Sequence, residues 1–372
     1  MRRVALFFSI PVLIFIATGC TKQPSSSFLP GFNKQELTRL LPVVERVYDS
    51  VDIGGFKTPE PVGYQRTFRS SVSPLMNRFD FWLSHDNKGI INIRGTILDT
   101  AGLSFALDFY ALMVPAIGEI QLSDSTLFKY KVAELPGAAV HLGFLMGLGL
   151  MSNEMLEQIN QHYQKGVRDF YILGHSQGSG IAYLTTAYLS YLQKDGSLPT
   201  DIRFKSYCVA APKAGNLLFA YDYENLTQGG WAYSIQNITD WVPGVPMTIQ
   251  GATDAPPVNP FNNIQKFLTE IHFPPGPNFE QGFDKFSKIL PEVNANLLTL
   301  IHNIIFPRII GAMPGFTEPA SIPSFDFERM GITIPLIPDS SYYSQFPRKP
   351  TTFNVWENHS VYPYYILVST MN

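Results

Sequence analysis

An apolar run, Asp169 to Leu173, leads into Gly174-His175-Ser176-Gln177-Gly178 and then into a stretch rich in small residues, Gly180 to Tyr191. No other feature constrains the fold as tightly. A Gly-x-Ser-x-Gly turn between a strand and a helix leaves no room for side chains beside the serine, and it holds the serine in a strained conformation. The hydroxyl is thereby pushed out at the carboxyl end of the strand. Five letters alone would arise by chance often enough to mean little; the strand before them and the helix after them supply the meaning.

The flanking sequence extends the pattern. Phe79 to Ser84 and Gly89 to Ile93 read as two strands joined by a polar turn at Asp86, Asn87 and Lys88. A helix over Ser152 to Lys165, a strand over Asp169 to Leu173 and a helix over Gln177 to Gln193 follow. Next come a strand over Ile202 to Val209, a helix from about Gly215, and a strand over Ala232 to Ile238. Such alternation predicts a mostly parallel sheet with helices on both faces. Ligands bind at the carboxyl ends of strands in such sheets, where the turn places Ser176.

The amino-terminal residues bear on location. Arg2 and Arg3 precede an apolar segment, Val4 to Ala17, too short to span a bilayer as a mature helix and charged like a secretory signal. It ends in Ala17-Thr18-Gly19-Cys20, which resembles a bacterial lipoprotein lipobox, although alanine three places before the cysteine is a less usual choice. An ordinary secretory signal with an incidental cysteine is the alternative. On the lipoprotein reading, residues 1–20 are the signal peptide and Cys20 is the lipidated first residue of an exported, envelope-anchored chain. Residues 21–30 are then a flexible tether, and residues 31–372 one domain.

Composition excludes several classes. A net charge of −3 without a lysine or arginine cluster offers no electrostatic footprint for nucleic acid. There is no paired cysteine motif, no His-Glu-x-x-His and no glycine-rich phosphate loop, so the expected chemistry uses neither cofactor nor metal. Only two cysteines occur, and Cys208 lies in an apolar run that reads as a buried strand.

A serine needs a base, an acid and an oxyanion site. With this kind of turn the order is serine, acid, histidine. Among His272, His302 and His359, the last stands just before an apolar closing segment and is the expected base. His175 is not, because a side chain beside the nucleophile on a tight turn points away from it. Asp240, in the loop after the strand ending near Ile238, is the expected acid. Asp222, on a helix face, and Asp254, in a Gly- and Pro-rich stretch, read as solvated charges. The backbone N–H of Gln177 is one expected oxyanion donor. Arg94-Gly95-Thr96 would supply the second, with Thr96 offering its N–H and hydroxyl; an ordinary strand-end turn is the alternative.

Taken in order, Arg94-Gly95-Thr96, Val140-His141-Leu142-Gly143-Phe144, Gly174 to Gly178, Ala211-Pro212-Lys213-Ala214-Gly215-Asn216, Asp240 with Val242-Pro243, and His359 resemble the signature of the class 3 lipase family. The resemblance covers roughly residues 75 to 250 and the closing segment from 353. It implies an α/β-hydrolase fold, Ser176, Asp240 and His359 as triad, Thr96 and Gln177 at the oxyanion hole, and a structural part for His141. Ser179 departs from the family's usual glycine, and Lys213-Ala214 from the usual arginine and branched residue. The stretch between Asp240 and His359 is longer than the family needs; residues 251–350, with about half of the chain's 29 prolines, read as an insertion. Whether that insertion caps the site or is a distant elaboration stays open. So does the role of Ala101 to Ile117, which reads as an apolar helix in the place of a mobile lid.

The chain is therefore expected to be a serine-dependent carboxylic-ester hydrolase acting on acylglycerols or similar lipid esters, held at a membrane through Cys20. A non-lipase esterase or phospholipase on the same fold, and a non-catalytic surface lipoprotein, are the alternatives.

Overall fold

The structure, a computed structural model, describes residues 28–48, 57–251, 254, 259–272, 277–347 and 355–371. Cys20 and the expected signal peptide lie outside the described residues. The chain runs through α1 (Lys34–Glu45), β1 (Tyr64–Arg69), β2 (Phe79–Ser84), β3 (Gly89–Ile93), α2 (Leu103–Phe109), β4 (Met113–Pro115), β5 (Ile117–Ser123), β6 (Thr126–Lys131) and β7 (Ala139–His141). Then follow α3 (Leu142–Gln164), β8 (Asp169–His175), α4 (Gln177–Lys194), β9 (Arg203–Val209), α5 (Leu217–Leu226) and β10 (Ala232–Asn237). The last part holds α6 (Ile264–Glu270), α7 (Pro277–Ala312), β11 (Ile332–Leu336), α8 (Ser340–Gln345) and α9 (Val361–Thr370).

Seven strands form the central sheet in the order β1-β2-β3-β8-β9-β10-β11. β3, β8, β9, β10 and β11 are mutually parallel, whereas β1 and β2 make an antiparallel edge. Side chains alternate along each strand, so one sheet serves two cores. Phe81, Ile91, Phe170, Ile172 and Cys208 face the apolar sides of α3, α4 and α5. Trp82, Ile90, Tyr171, Leu173, Tyr207 and Val209 face α1 and α9. This is the α/β-hydrolase arrangement, a mostly parallel sheet between helical layers.

Several boundaries differ from the sequence-based expectations. Phe28 is fully buried, its ring against Tyr171 and Trp231, so the folded body begins inside the stretch expected to be a tether; an aromatic side chain this apolar gains from burial. The helix expected over Ala101 to Ile117 is only α2, after which Met113 to Pro115 pair with β7 as a strand. Residues 251–350 are not all elaboration, since β11 closes the parallel sheet beside β10. α7 is long and apolar enough to cross a bilayer by length and composition, yet its Ile305 and Ile309 are buried in the core shared with Tyr110 and Phe316.

Candidate active site

The elbow shows why its glycines are required. A Cβ on Gly174 would lie 2.3 Å from the carbonyl oxygen of Gly178, and one on Gly178 would lie 2.2 Å from that of Ile93. Both contacts are backbone to backbone, so no side-chain adjustment could relieve them. Ser176 itself sits at φ 59°, ψ −131°, a strained setting for a non-glycine residue that costs on the order of 1–3 kcal/mol. Ser179, where a further glycine was expected, is accommodated by donating its hydroxyl to the carbonyl of Val209 at 2.8 Å.

Three side chains then meet in series. Nε2 of His359 lies 2.8 Å from Oγ of Ser176, and Nδ1 of His359 lies 2.8 Å from Oδ2 of Asp240. A carboxylate only accepts, so Nδ1 carries the proton and Nε2 is free to accept one from the serine. All three residues are largely buried, the Asp240 side chain completely. Two more donors steady the carboxylate: the Tyr364 hydroxyl at 2.8 Å on Oδ2 and the Val242 N–H at 3.0 Å on Oδ1. Asn237, the last residue of β10, links the loops that carry Asp240 and His359. Its N–H donates to Tyr364 Oη at 3.1 Å, and its side-chain amide donates to the Asn358 carbonyl at 3.1 Å.

On the oxyanion side, one carboxylate spans both expected residues. Asp108 of α2 accepts from Thr96 Oγ1 at 2.7 Å and from Gln177 Nε2 at 2.9 Å. Gln177 also donates to the Ser104 carbonyl at 2.8 Å and accepts from Asn77 at 3.2 Å. Its side chain is thus committed to holding α2 down, while its backbone stands at the amino end of α4. Burial pushes the Asp108 carboxyl up to about 6, moderated by these two donors. Sequence reading missed Asp108, Tyr364 and Asn237, each of which acts through partners far away in the chain.

The other titratable candidates lie elsewhere. His302 pairs with Glu318 at 2.9 Å, and His272 is exposed. Asp222, expected to be solvated, is buried on α5 and accepts from Tyr191 at 2.5 Å and from the Glu134 N–H at 2.8 Å, because α5 turns that face inward. Asp254 accepts from Ser324 at 2.6 Å and from the Gly251 N–H at 2.7 Å. Cys208 is buried in β9, and burial pushes its thiol up. His141 caps α3, stacks on Phe144 and donates Nε2–H to the Asp108 carbonyl at 3.2 Å. Asn216 caps α5 and accepts from the Ala139 N–H at 3.0 Å.

Residues 92–250 match the family model described as lipase (class 3). The match spans less than half of the chain, and over that span the chain resembles the class 3 lipases. Similar solved structures include lipase II from Rhizopus niveus, 22% identical, with a TM-score of 0.41 over 57% of this chain and 75% of that one. Lip2 lipase from Yarrowia lipolytica is 16% identical, with a TM-score of 0.43 over 59% of this chain and 78% of that one. A triacylglycerol lipase whose catalytic centre is a serine protease triad is 18% identical, with a TM-score of 0.43 over 59% of this chain and 77% of that one. No curated protein matches. The class 3 lipase span takes in Thr96, Ser176, Gln177 and Asp240, whereas His359, Tyr364 and α1 lie beyond it.

Two buried rings near this site predict an acid sensitivity. Burial pushes both His141 and His175 from the ordinary 6.5 down to about 3. A lowered folded value means that stability present above pH 6.5 is lost as pH falls toward 3. By pH 4.5 each ring should cost roughly 2–3 kcal/mol. Asp108, raised to about 6, works in the opposite sense between about pH 6 and 4 and offsets part of the loss. Melting temperature should therefore drop between pH 7 and 4.5, and less so in His141→Gln; equal slopes for parent and variant would refute this origin.

Proposed function

We propose that this lipase-type ester hydrolase works through an acyl-enzyme on Ser176, with His359 as base and Asp240 as orienting acid. The observation that carries the reading is the unbroken series from Ser176 Oγ to His359 to Asp240, with both links at 2.8 Å. His359 Nε2 takes the serine proton as Oγ attacks the ester carbonyl, and Asp240 stabilises the imidazolium that forms. The tetrahedral oxyanion is held by the backbone N–H groups of Gln177 and Thr96; the Thr96 hydroxyl, expected from sequence as a further donor, instead gives its proton to Asp108, which braces both residues. The imidazolium then protonates the departing alcohol. Water, activated by the same histidine, releases the acid and frees Ser176.

Lipid esters are the substrates we favour. Phe109 and Leu98 are exposed beside the oxyanion loop, and the Trp241 and Trp356 rings meet at a tilt near the base, with the Trp356 ring centroid 5.7 Å from that of His359. We further propose export and anchoring through Cys20, with residues 31–372 acting as one unit.

A chain-length series of nitrophenyl esters tests the reading. Turnover should rise toward longer acyl chains, and at each length His359→Ala should remove it, because no other group then accepts the serine proton. A preference for acetyl esters would favour a short-chain esterase, and a His359→Ala variant that turns over like the parent would count against the base.

A further inference from the structure

His175 stands next to the nucleophile, is buried, and has no part in the proton transfers described above. Its hydrogen bonds are directional in a way that can be worked out. Nε2 lies 2.6 Å from the main-chain carbonyl oxygen of His359. A carbonyl only accepts, so Nε2 carries the ring proton. Burial pushes the ring down to about 3 and keeps it neutral, which leaves Nδ1 as an acceptor. The Tyr48 hydroxyl, 3.1 Å from Nδ1, must therefore donate to it. Tyr48 Oη in turn accepts the N–H of Gly95 at 3.1 Å. The chain of bonds runs one way, from Gly95 N–H to Tyr48 to His175, and from His175 to the carbonyl of His359.

We propose that Tyr48 and His175 are positioning residues, a relay that ties the backbone of the base to the backbone of the oxyanion strand end. It rests on the reading of His359 as base and Thr96 as an oxyanion residue. Gly95 immediately precedes Thr96, so its N–H fixes where Thr96 begins. His359 immediately precedes the N-cap of α9, so a bond to its carbonyl bears on where that helix begins. Tyr48 reaches the site from just beyond α1, and α1 packs with α9 in the same apolar cluster, through Leu37, Leu41, Val44, Tyr364 and Val368. The amino-terminal helix, outside the lipase-matched span, thus braces both halves of the reacting centre. The close approach needs glycine: a Cβ on Gly95 would lie 2.4 Å from Tyr48 Oη and 2.4 Å from the His175 carbonyl.

The test uses the full chain and nitrophenyl butyrate, comparing Tyr48→Phe, His175→Leu, His175→Gln and the double variant Tyr48→Phe/His175→Leu. Tyr48→Phe removes one hydroxyl and should lower kcat about tenfold with KM within about twofold. His175→Leu should lose about a hundredfold. Glutamine offers a donor for the His359 carbonyl and an acceptor for Tyr48, so His175→Gln should recover most of that loss. The double variant should be no worse than His175→Leu, because the links act as a unit. Ring 15N shifts of the parent should show His175 protonated at Nε2 and bare at Nδ1, a readout independent of turnover. Tyr48→Phe turning over like the parent, losses confined to KM, additive losses, no rescue by glutamine, or an Nδ1–H tautomer would each overturn the relay. A parent without turnover would sink the hydrolase reading instead, and the tautomer would then decide the relay. Should His175→Leu fail to fold, Tyr48→Phe and the tautomer still decide it.

Discussion

Ser176→Ala is expected to abolish ester hydrolysis, lowering kcat by about 10⁴-fold or more while leaving the protein folded. The loss is large because the variant removes the atom that forms the acyl bond, and no nearby group can replace it. His175 turns its ring toward Tyr48 and the His359 carbonyl. Thr96 Oγ1 is held on Asp108, so it is not poised as a second nucleophile. Stability should change little, since alanine inherits the same φ of 59° and what is given up is the bond between Oγ and His359. The informative measurement pairs turnover with labelling by a serine-directed phosphonate. A parent that is labelled and a variant that is neither labelled nor active would agree with the assignment; a variant that keeps even a tenth of parental kcat would end it.

Asp240→Asn should be nearly as severe, with a loss on the order of 10⁴ in kcat and little change in KM. The isosteric amide keeps the shape but reverses the logic of the bonds. Asp240 accepts from three donors, His359 Nδ1, the Tyr364 hydroxyl and the Val242 N–H. An asparagine has one accepting oxygen, so its amide nitrogen must face at least one donor. If it faces His359, the ring takes the wrong tautomer and Nε2 becomes a donor toward Ser176. Tyr364, whose hydroxyl burial and then the Asp240 charge push well above the ordinary phenol range, stays protonated, so it would have to turn its O–H away before an amide nitrogen could face it. Kinetics of Asp240→Asn across pH check this: a variant within tenfold of the parent would show that the carboxylate is dispensable.

Ser176 was legible in the sequence because its setting is local. A strand, two glycines and a helix lie within a few residues, and steric exclusion at Gly174 and Gly178 acts between adjacent turns of chain. Gln177 was named for its backbone, and that too follows from its place at a helix start. The β2–β3 hairpin and the β8-α4-β9 succession were readable for the same reason, since periodicity and turn chemistry are short-range. α3 was seen only in its second half, because its first turns, Leu142 to Leu150, are apolar on every side and carry no helical stripe. The strand β11 escaped notice within a proline-rich stretch, as only pairing with β10 makes it a strand.

What the sequence alone determined is therefore the elbow and the sheet that feeds it, both governed by local sterics and hydrophobic period. The tertiary structure decided the rest. It brought His359 and Asp240 up to Ser176, buried Asp222, and gave Asp108, Tyr48, Tyr364 and Asn237 their partners. The physical reason is range: a hydrogen bond takes effect within about 3 Å, while the residues that make these bonds are separated by tens to more than a hundred positions along the chain, so folding alone brings them together.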